Sequence, residues 1–531
     1  MKKLYFAVGS QDLYGDECLK QVAEDSRQMA EFLNEKLKDV AEVELVPTII
    51  NSESCIKTMR QASCDDDCIG VITWMHTFSP AKMWIKGLQE LRKPLLHLHT
   101  QANEKLPYDS IDMDFMNLNQ SAHGDREYGF IVARLGIPHE VVAGYYKHDD
   151  VVAKIRQFAE VAKAISYSKS LKVASFGNNM REVAVTDGDR VESQIKYGWE
   201  CNYFALGDVV DTINAVTEEE IDAKMKEYTD KYTMKTDRID SVREQAKYEV
   251  GLEKFLAANG IGAFADTFQD LHGLRQLPGI AAQNLMAKGI GFGPEGDYKI
   301  SALSAVLMKM SEGRDGATGF IEDYTYDLTP GQELELASHM LEVPPAFAAT
   351  KPEIDVLPLG IGGKEDPARL IFDGVTGDGI QVTMVDMGDH FRIICADIEL
   401  VKQPKPMPKL PVARIMYRHK PNFQIGTAAW CYAGGAHHSV VSTALTREDI
   451  AMFARLTGTE LVTIGEDTTE ADLQKSNQCL NMTLDKYETI LYDITTAEDF
   501  LNLAVTAKES AGAQLLYQTK GHADEFGKAD R

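Results

Sequence analysis

The feature that most constrains the fold is an alternation of short apolar runs with amphipathic stretches near the start of the chain. Apolar runs typical of buried strands cover residues 4–8, 43–46, 69–74 and 95–99, and stretches with helical spacing cover residues 17–38, 56–62 and 81–91. This order predicts a parallel sheet with helices on both faces. Because ligands of such sheets bind at the carboxyl ends of strands, we expect the polar loops at residues 9–15 and 76–80 to face a ligand.

A second α/β region and then a β-rich region follow the first. The alternation starts again near residue 171, with predicted strands at 172–176 and 202–206 and predicted helices at 218–232, 242–258 and 302–310. From about residue 332 the apolar residues recur at every second position, which is typical of antiparallel strands. These strands are predicted at 334–343, 354–357, 369–372, 380–385 and 391–401, and the turn at 376–379 suits a hairpin between two of them.

We therefore predict an α/β protein in which two Rossmann-like α/β/α domains are followed by a β-rich, barrel-like C-terminal domain. A chain of 531 residues is also too long for a single hydrophobic core. The predicted domains are an N-terminal α/β domain at 1–170, a central α/β domain at 171–318 and a β-rich domain at 319–531. Within the last, a capping-box sequence at 495–498 and the helical spacing after it predict a helical tail from about residue 480.

The charge and cysteine content narrow the class of function. The 81 acidic residues outnumber the 55 basic ones, and no basic patch interrupts the net charge of −26, so we expect neither nucleic acid nor a membrane surface as partner. No apolar run reaches the roughly 18 residues of a membrane span, and no leader peptide is predicted. The 8 cysteines are scattered, with Cys64 and Cys68 the one close pair, which predicts reduced thiols and a cytoplasmic protein. A small neutral substrate or a metal cation fits this charge.

Two glutamates stand in unusual surroundings. Glu295 lies in the glycine-rich segment 291–297, where the small neighbours allow close approach to a ligand. Glu322 lies among apolar and aromatic residues, and a carboxylate is costly to bury there unless it is paired or bound to a metal. The alternatives are an acidic surface turn for Glu295 and an outward-facing strand position for Glu322.

Two histidine positions complete a possible set of metal ligands. His339 lies on a predicted strand, where a histidine is more often a satisfied core group than a ligand. His437 and His438 follow two glycines, and on a strand their rings would face opposite sides. Two glutamates with two histidines suit Mn²⁺, Co²⁺, Fe²⁺ or Zn²⁺ better than Ca²⁺. No spacing rule brings these distant residues together, and no phosphate-binding loop, nucleophile elbow or dinucleotide fingerprint is present.

Several long ordered segments of the chain are distinctive: 9–15 (GSQDLYG), 74–84 (WMHTFSPAKMW), 112–124 (DMDFMNLNQSAHG), 180–189 (MREVAVTDGD), 322–326 (EDYTY), 338–343 (SHMLEV) and 434–438 (GGAHH). Through these segments the chain resembles L-arabinose isomerases over roughly residues 3–470. The resemblance implies a metal site, sugar contacts and an oligomeric assembly, none of which the composition predicts. The implied metal ligands are Glu295, Glu322, His339 and His438, which leaves His437 as a structural partner.

The resemblance also implies the chemistry. Glu295 and Glu322 would be the catalytic pair, moving a proton through an enediol, with Mn²⁺ (or Co²⁺ or another divalent ion) as cofactor. The substrate would be L-arabinose, converted to L-ribulose, with D-galactose to D-tagatose as a second reaction. Sugar contacts are implied for Gln11, Leu13, Met180 and Phe268, and for His123 of a neighbouring subunit. The family implies a homo-oligomer, a trimer or a homohexamer, with active sites between subunits.

Three departures from the family pattern keep alternatives open. Asp12 stands where family members usually have histidine, Gly293-Pro294 where they often have Ala-Gly, and Lys475-Ser476-Asn477 where they tend to have Arg-Trp-Asn. Asp12 leaves open a related isomerase that prefers another aldose. A sugar-binding regulator that kept the fold and lost catalysis is the alternative from a different class, although all four ligand residue types are present.

Overall fold

The N-terminal domain is a five-stranded parallel sheet with helices on both faces. The computed structural model describes residues 1–360 and 363–473. The strands are β1 (Lys3–Gly9), β2 (Glu42–Leu45), β3 (Cys68–Met75), β4 (Leu95–His99) and β5 (His139–Ala143). The helices are α1 (Gly15–Leu37), α2 (Ser52–Cys64), α3 (Ile85–Glu90), α4 (Met113–Leu118), α5 (Ser121–Arg134) and α6 (Asp149–Ser168), with 3₁₀ turns at Asp12–Tyr14 and Ala81–Trp84.

The strand order of this sheet places the two polar loops side by side. The order is β2-β1-β3-β4-β5, so the direction of winding reverses between β1 and β3. In open α/β sheets this reversal opens a crevice at the carboxyl ends of the two strands. Ser10 follows β1 and Thr77 lies just beyond β3, and their hydroxyl oxygens are 2.8 Å apart. The loops at 9–15 and 76–80 therefore meet at this crevice.

The central domain repeats the plan with four parallel strands in the order β10-β9-β6-β7. The strands are β6 (Lys172–Phe176), β7 (Glu200–Phe204), β9 (Ala263–Asp266) and β10 (Gly291–Gly293), and β8 (Thr233–Met234) lies in a separate small sheet. The helices are α7 (Arg190–Tyr197), α8 (Leu206–Asn214), α9 (Glu218–Lys231), α10 (Ile239–Asn259), α11 (Gly279–Ala287) and α12 (Tyr298–Met310), and a 3₁₀ turn spans Pro294–Gly296. Helix α12 is buried along most of its length because it packs on β9 and β10 and on the strands of the next domain.

The C-terminal domain contains a closed barrel of six antiparallel strands. They are β11 (Thr318–Asp327), β12 (Leu334–Ser338), β15 (Gly377–Asp386), β16 (Phe391–Val401), β17 (Ile415–His419) and β18 (His438–Ser442), and pairing of β15 with β16 closes the barrel. The remaining elements are β13 (Glu353–Val356), β14 (Ala368–Ile371), β19 (Glu460–Ile464), α13 (Phe423–Ala433), α14 (Arg447–Thr457) and a 3₁₀ turn at Pro345–Phe347. Two parallel-sheet domains followed by a β-barrel confirm the predicted fold class.

Two details of the predicted β-rich region are wrong. The turn at 376–379 does not join a hairpin, because β14 pairs with β13 in the small sheet and Gly377 already begins β15. The hairpin forms instead between β15 and β16. The predicted strand 334–343 ends at Ser338, because the chain turns away there toward the cavity described below. Alternation of apolar and polar residues indicates that a segment is a strand, but it does not determine which strand it pairs with.

The predicted helical tail and the predicted domain boundaries stay predictions. The predicted helical tail and the departure at Lys475-Ser476-Asn477 lie outside the described residues. The domain boundaries also remain predictions: the first falls between α6 and β6, and the second at the first residue of β11. Within the ranges that the structure covers, no helix is both long and apolar enough to cross a bilayer.

A partly buried cation joins elements of all three domains. Arg314, between α12 and β11, lies with Nη1 2.7 Å from Oδ2 of Asp449 on α14 and with Nε 2.9 Å from Oε2 of Glu160 on α6. Gln157, also on α6, donates to Oδ1 of Asp449 at 2.8 Å. Burial opposes the charge of Asp449, but Arg314 lowers the pKa of this carboxyl below its ordinary value. One guanidinium therefore pairs with two carboxylates from different domains.

We predict that Arg314→Met lowers the free energy of unfolding by about 3 kcal/mol, because it removes the cation beside Asp449 in a partly desolvated site and leaves Glu160 with only the longer contact to Arg156 at 3.9 Å. Urea denaturation followed by circular dichroism measures the loss. The matched control is Arg418→Met, whose partner Glu399 is 3.0 Å away in an exposed pair. This control should change the free energy by no more than about 0.5 kcal/mol. Equal effects of the two substitutions would contradict the role given to Arg314.

Candidate active site

The pairing of three barrel strands brings together side chains that are far apart in the sequence. Glu322 of β11 lies opposite Ser338 of β12 on one side and opposite His438 of β18 on the other. Directly opposed residues in antiparallel strands have Cβ atoms about 5 Å apart. His339 follows Ser338, and its Nε2 is 3.6 Å from Oε2 of Glu322. The barrel thus supplies Glu322, His339 and His438 as one group.

Glu295 comes to this group from the central domain. It lies in the 3₁₀ turn between β10 and α12, and its φ of 57° places it in the left-handed region. For a residue with a Cβ this conformation costs about 1–2 kcal/mol and tends to occur at functional sites. The N–H of Met180 donates to the Glu295 carbonyl at 2.8 Å, which holds the turn in place. Its Oε2 lies 3.4 Å from Nε2 of His437 and 3.8 Å from Nε2 of His438.

His438 is fully buried and its ring is oriented by a carboxylate. Nδ1 lies 3.1 Å from Oδ2 of Asp297, whose other oxygen accepts from the N–H of Ile300 and so caps α12. Donation of the Nδ1 proton to Asp297 leaves Nε2 as an unprotonated acceptor. Nε2 is buried and has no hydrogen-bond partner among the described residues. A lone pair in this position would be satisfied by a cation.

His339 is held in the same way. Its Nδ1 is hydrogen-bonded to the carboxylate of Glu342, which also accepts from the N–H of Leu341 at 3.1 Å. Burial opposes a charge on the ring, but Glu342, and then Glu322 and Glu295, raise the pKa of His339 to about 9. With Nδ1 engaged, Nε2 faces Glu322. Both rings therefore present Nε2 to glutamate carboxylates.

Burial and positive charge act against each other at the carboxylates. Burial favours the neutral form of Glu295, but its hydrogen bond to His437 and the nearby imidazoles of His438 and His339 lower its pKa below the ordinary value. Burial likewise opposes ionisation of Asp297, and Lys299 and His438 lower its pKa. Glu295 and Asp297 are thus held as anions by their neighbours. A set of carboxylate oxygens and imidazole nitrogens of this kind suits a divalent transition-metal ion.

Three of the four predicted ligands line a cavity, and the fourth is buried beside it. The cavity has a volume of about 210 Å³ and is lined by Asp266, Phe268, Leu271, Leu277, Pro278, Pro294, Glu295, Glu322, Tyr324, His339, Met340 and Glu342. Possible ligand atoms of Glu295, His437 and His438 all lie within 4.8 Å of one another. His437, which the resemblance leaves as a structural partner, thus lies directly beside Glu295. The ligand roles of all these residues stay predictions.

Several residues of the site were missed by sequence reasoning. Asp297 and Glu342 orient the two histidines, and nothing in their spacing marked them. Asp266 ends β9 and lies in the cavity wall, where burial, and then Glu342, raise the pKa of its carboxyl to about 8. Because β9 belongs to a parallel sheet, the rule that ligands bind at carboxyl ends of strands could have identified Asp266.

The predicted sugar contacts fall into two groups. Phe268 lines the cavity, and Met180 is bonded to Glu295 through its N–H. The others lie in the N-terminal domain, and none of them lines the cavity. Two of them contact Phe78: the side chain of Gln11 donates to its carbonyl at 2.9 Å, and His123 stacks on its ring with the ring centroids 4.3 Å apart. Leu13 of the same loop is 82% exposed.

A second group of possible metal ligands lies in the N-terminal domain. Asp125 accepts from Nε2 of His97 and from Nδ1 of His99, each at 2.9 Å, and from the N–H of Met75 at 3.0 Å. These hydrogen bonds engage both oxygens of the carboxylate. Asp125 is therefore satisfied without an ion, while Nδ1 of His97, like Nε2 of His438, is buried without a hydrogen-bond partner among the described residues.

Comparisons with known proteins identify one family for all three parts of the chain. The family models of the L-arabinose isomerase N-terminal, central and C-terminal domains match residues 1–170, 172–313 and 317–460. The chain is similar to proteins named L-arabinose isomerase from Oceanobacillus iheyensis (50% identity over 87% of this chain and 98% of the relative) and Shouchella clausii (50% over 89% and 97%). A relative from Geobacillus stearothermophilus with the same name is 49% identical over 88% of this chain and 95% of its own length. The chain therefore belongs to the L-arabinose isomerase family of aldose–ketose isomerases.

Proposed function

We propose that this chain is a metal-dependent isomerase that converts L-arabinose to L-ribulose, with D-galactose to D-tagatose as a second reaction. Membership of the family and the names of its relatives support the reaction class. The observation that carries the metal dependence is Nε2 of His438, which is buried, without a partner among the described residues, and 3.8 Å from Glu295.

The proposed ligands of the ion are Glu295, Glu322, His339 and His438, and the proposed ion is Mn²⁺, with Co²⁺ as an alternative. Their fit rests on the chemistry of the donors and on the carboxylates that orient both imidazoles. When bound, the ion supplies Lewis-acid stabilisation of the negative charge that develops on the sugar oxygens. His437, which is 3.4 Å from Glu295, is the proposed hydrogen-bonding partner of that glutamate.

The proposed reaction moves one proton between two carbons of the open-chain sugar. A carboxylate takes the proton from C2 of the aldose, O1 gains a proton, and an enediol forms. Return of a proton to C1 and loss of the proton on O2 give the ketose. Glu295 and Glu322 are the proposed pair. Because a nearby cation favours the ionised form of a carboxyl and weakens it as a base, the glutamate that takes the proton needs one oxygen free.

We propose that the site is completed by a second copy of the chain, in a trimer or hexamer. Gln11, Leu13 and His123 then contact the sugar from the neighbouring N-terminal domain. The exposure of Leu13 supports this arrangement, as does an exposed apolar surface on the same domain that includes Tyr108 and Met113. Exposed apolar patches on soluble proteins often mark contacts between chains. A chain that is fully active as a strict monomer would contradict this proposal.

Two other functions are separated from this one by activity measurements. An isomerase that prefers another aldose, which Asp12 leaves open, would show its highest kcat/KM with D-galactose or L-fucose rather than L-arabinose. A sugar-binding regulator would form no ketose with any sugar at saturating Mn²⁺.

We predict that removal of metal abolishes the reaction and that Mn²⁺ restores it. Protein treated with a chelator and dialysed should form no L-ribulose from L-arabinose, and one equivalent of Mn²⁺ per chain should recover activity. Elemental analysis and a colorimetric ketose assay on the same preparation measure both quantities. Full turnover by protein that is shown to contain no bound metal would refute the metal dependence.

We predict that Glu322→Gln lowers kcat by about 10²–10⁴-fold at saturating Mn²⁺, because a proton-transferring carboxyl is lost. Glu333→Gln, on the loop between β11 and β12, should leave kcat unchanged. The wild-type reaction in D₂O should place deuterium at C1 of the ketose. Retained turnover with normal metal content would remove Glu322 from the proton transfer, and a ketose without deuterium would favour a hydride shift.

We predict that His438→Asn and His437→Asn have different effects on metal binding. Loss of a ligand should raise the Kd for Mn²⁺ by more than the roughly 10–100-fold that is typical of residues that orient ligands. His437 acts through Glu295, so its substitution should fall within that range. Calorimetric titration of metal-free protein with Mn²⁺ measures both. A larger effect of His437→Asn would show that the adjacent histidine is the ligand.

A further inference from the structure

Lys299 is a fully buried lysine beside the proposed metal centre. It lies in the first turn of α12, where the helix dipole disfavours a cation. Its Nζ is 3.0 Å from the carbonyl oxygen of Val185, 2.7 Å from that of Asp187 and 3.3 Å from Oδ1 of Asp297. An ammonium group has three N–H donors, and here three oxygen acceptors surround it. The local contacts therefore outweigh an unfavourable position on the helix.

Two of these contacts hold the loop between β6 and α7, residues 177–189. The loop is fixed at its start by the N–H of Met180, which donates to the Glu295 carbonyl at 2.8 Å. At its end the N–H of Asp189 donates to Oδ2 of Asp386 on β15 at 2.7 Å. Lys299 holds the stretch between these points through the carbonyls of residues 185 and 187. The position of Met180 at the site thus depends on an anchored loop.

The third contact leads to His438. Asp297 is buried, and its Oδ2 fixes the ring of His438 through Nδ1 while Oδ1 faces Lys299. A buried carboxylate without a cation beside it is strongly disfavoured, so Lys299 supplies the charge that allows Asp297 to stay in this place. One ammonium group therefore contacts both the loop that carries Met180 and the carboxylate that orients His438.

We propose that Lys299 is a positioning residue that couples the loop 177–189 to the Asp297–His438 pair. Its loss weakens metal binding through His438 and weakens sugar binding through Met180. This inference rests on the proposed function for the identities of the ion and the sugar. A lysine that only stabilised the fold would change stability and leave Mn²⁺ affinity and the exchange behaviour of the loop as they are.

The test compares Lys299→Met with Lys224→Met as a matched control. Lys224 is also buried and is bonded to Glu249 at 2.9 Å and to Glu227 at 2.6 Å, away from the cavity. Metal-free proteins are titrated calorimetrically with Mn²⁺ at a temperature at which circular dichroism shows all of them folded. We expect Lys299→Met to raise the Kd by roughly 10-fold or more, as for residues that orient ligands, and Lys224→Met to leave it within about twofold. A Kd that is unchanged in Lys299→Met, or raised equally in both variants, overturns the coupling to His438.

A second readout needs neither metal nor sugar. Amide hydrogen exchange of residues 178–189 in metal-free protein should be roughly 10-fold faster in Lys299→Met than in the wild type, because two carbonyl contacts of the loop are lost. Lys224→Met should exchange in this loop like the wild type. Unchanged exchange in Lys299→Met overturns the anchoring of the loop.

A third readout is kinetic and applies where ketose is formed. The KM for the sugar should then rise in Lys299→Met and not in Lys224→Met.

These readouts separate this inference from the proposed function. If the wild type binds Mn²⁺ but makes no ketose, the proposed function fails and the Kd comparison still decides the role of Lys299. If the wild type binds no Mn²⁺, the metal centre and the coupling to it both fail, and hydrogen exchange decides the loop contact. If Lys299→Met does not fold, Lys299→Gln replaces it, since its amide keeps two donors without the charge. An unchanged Kd and unchanged exchange in that variant also overturn the proposal.

Discussion

The pairing of β11 with β12 and β18 is the constraint on which the site depends. It places Glu322 between His438 and Ser338, the residue before His339. In a strand, a shift of one residue turns every side chain to the other face, so a slipped register would present Asp323 to the cavity instead of Glu322. Closure of the barrel by β15 and β16 fixes this register, because each strand of the barrel then has two partners.

Polar contacts on the opposite face of β11 fix the same register. Asp323 accepts from the amide of Gln381 at 2.6 Å and from the hydroxyl of Tyr417 at 2.7 Å. Burial, and then the charge of Glu335, raise the pKa of Asp323 well above its ordinary value. These contacts would be lost after a slip, and buried polar groups without partners are costly. Two adjacent acids of β11 thus have different roles. Glu322 faces the cavity, and Asp323 binds Gln381 and Tyr417 of other barrel strands.

The proposed metal site is organised by groups that the sequence did not reveal. Apolar spacing predicted strands β1–β4, β6 and β7 of the α/β domains but not β5, β9 and β10. The residues Glu295, Glu322, His339 and His438 followed from the family resemblance. The roles of Asp297 and Glu342 could not be predicted, because each depends on which nitrogen of a histidine faces it in three dimensions. The prediction of a hairpin at 376–379 was wrong for a related reason. Packing determines which strand a strand pairs with, and the alternation of its own apolar residues does not. The position of Gln11 and His123 away from the cavity depends on how domains are placed, which local patterns do not encode.

The central claim is that the barrel strands and the turn at Glu295 together form one metal centre. Anomalous X-ray scattering at the manganese edge, from crystals grown with Mn²⁺, tests this claim most directly. The account predicts one strong peak per chain, in contact with Glu295, Glu322, His339 and His438. A strong peak instead at His97, His99 and Asp125, the other cluster of possible ligands, would contradict it, as would the absence of a peak between Glu295 and His438.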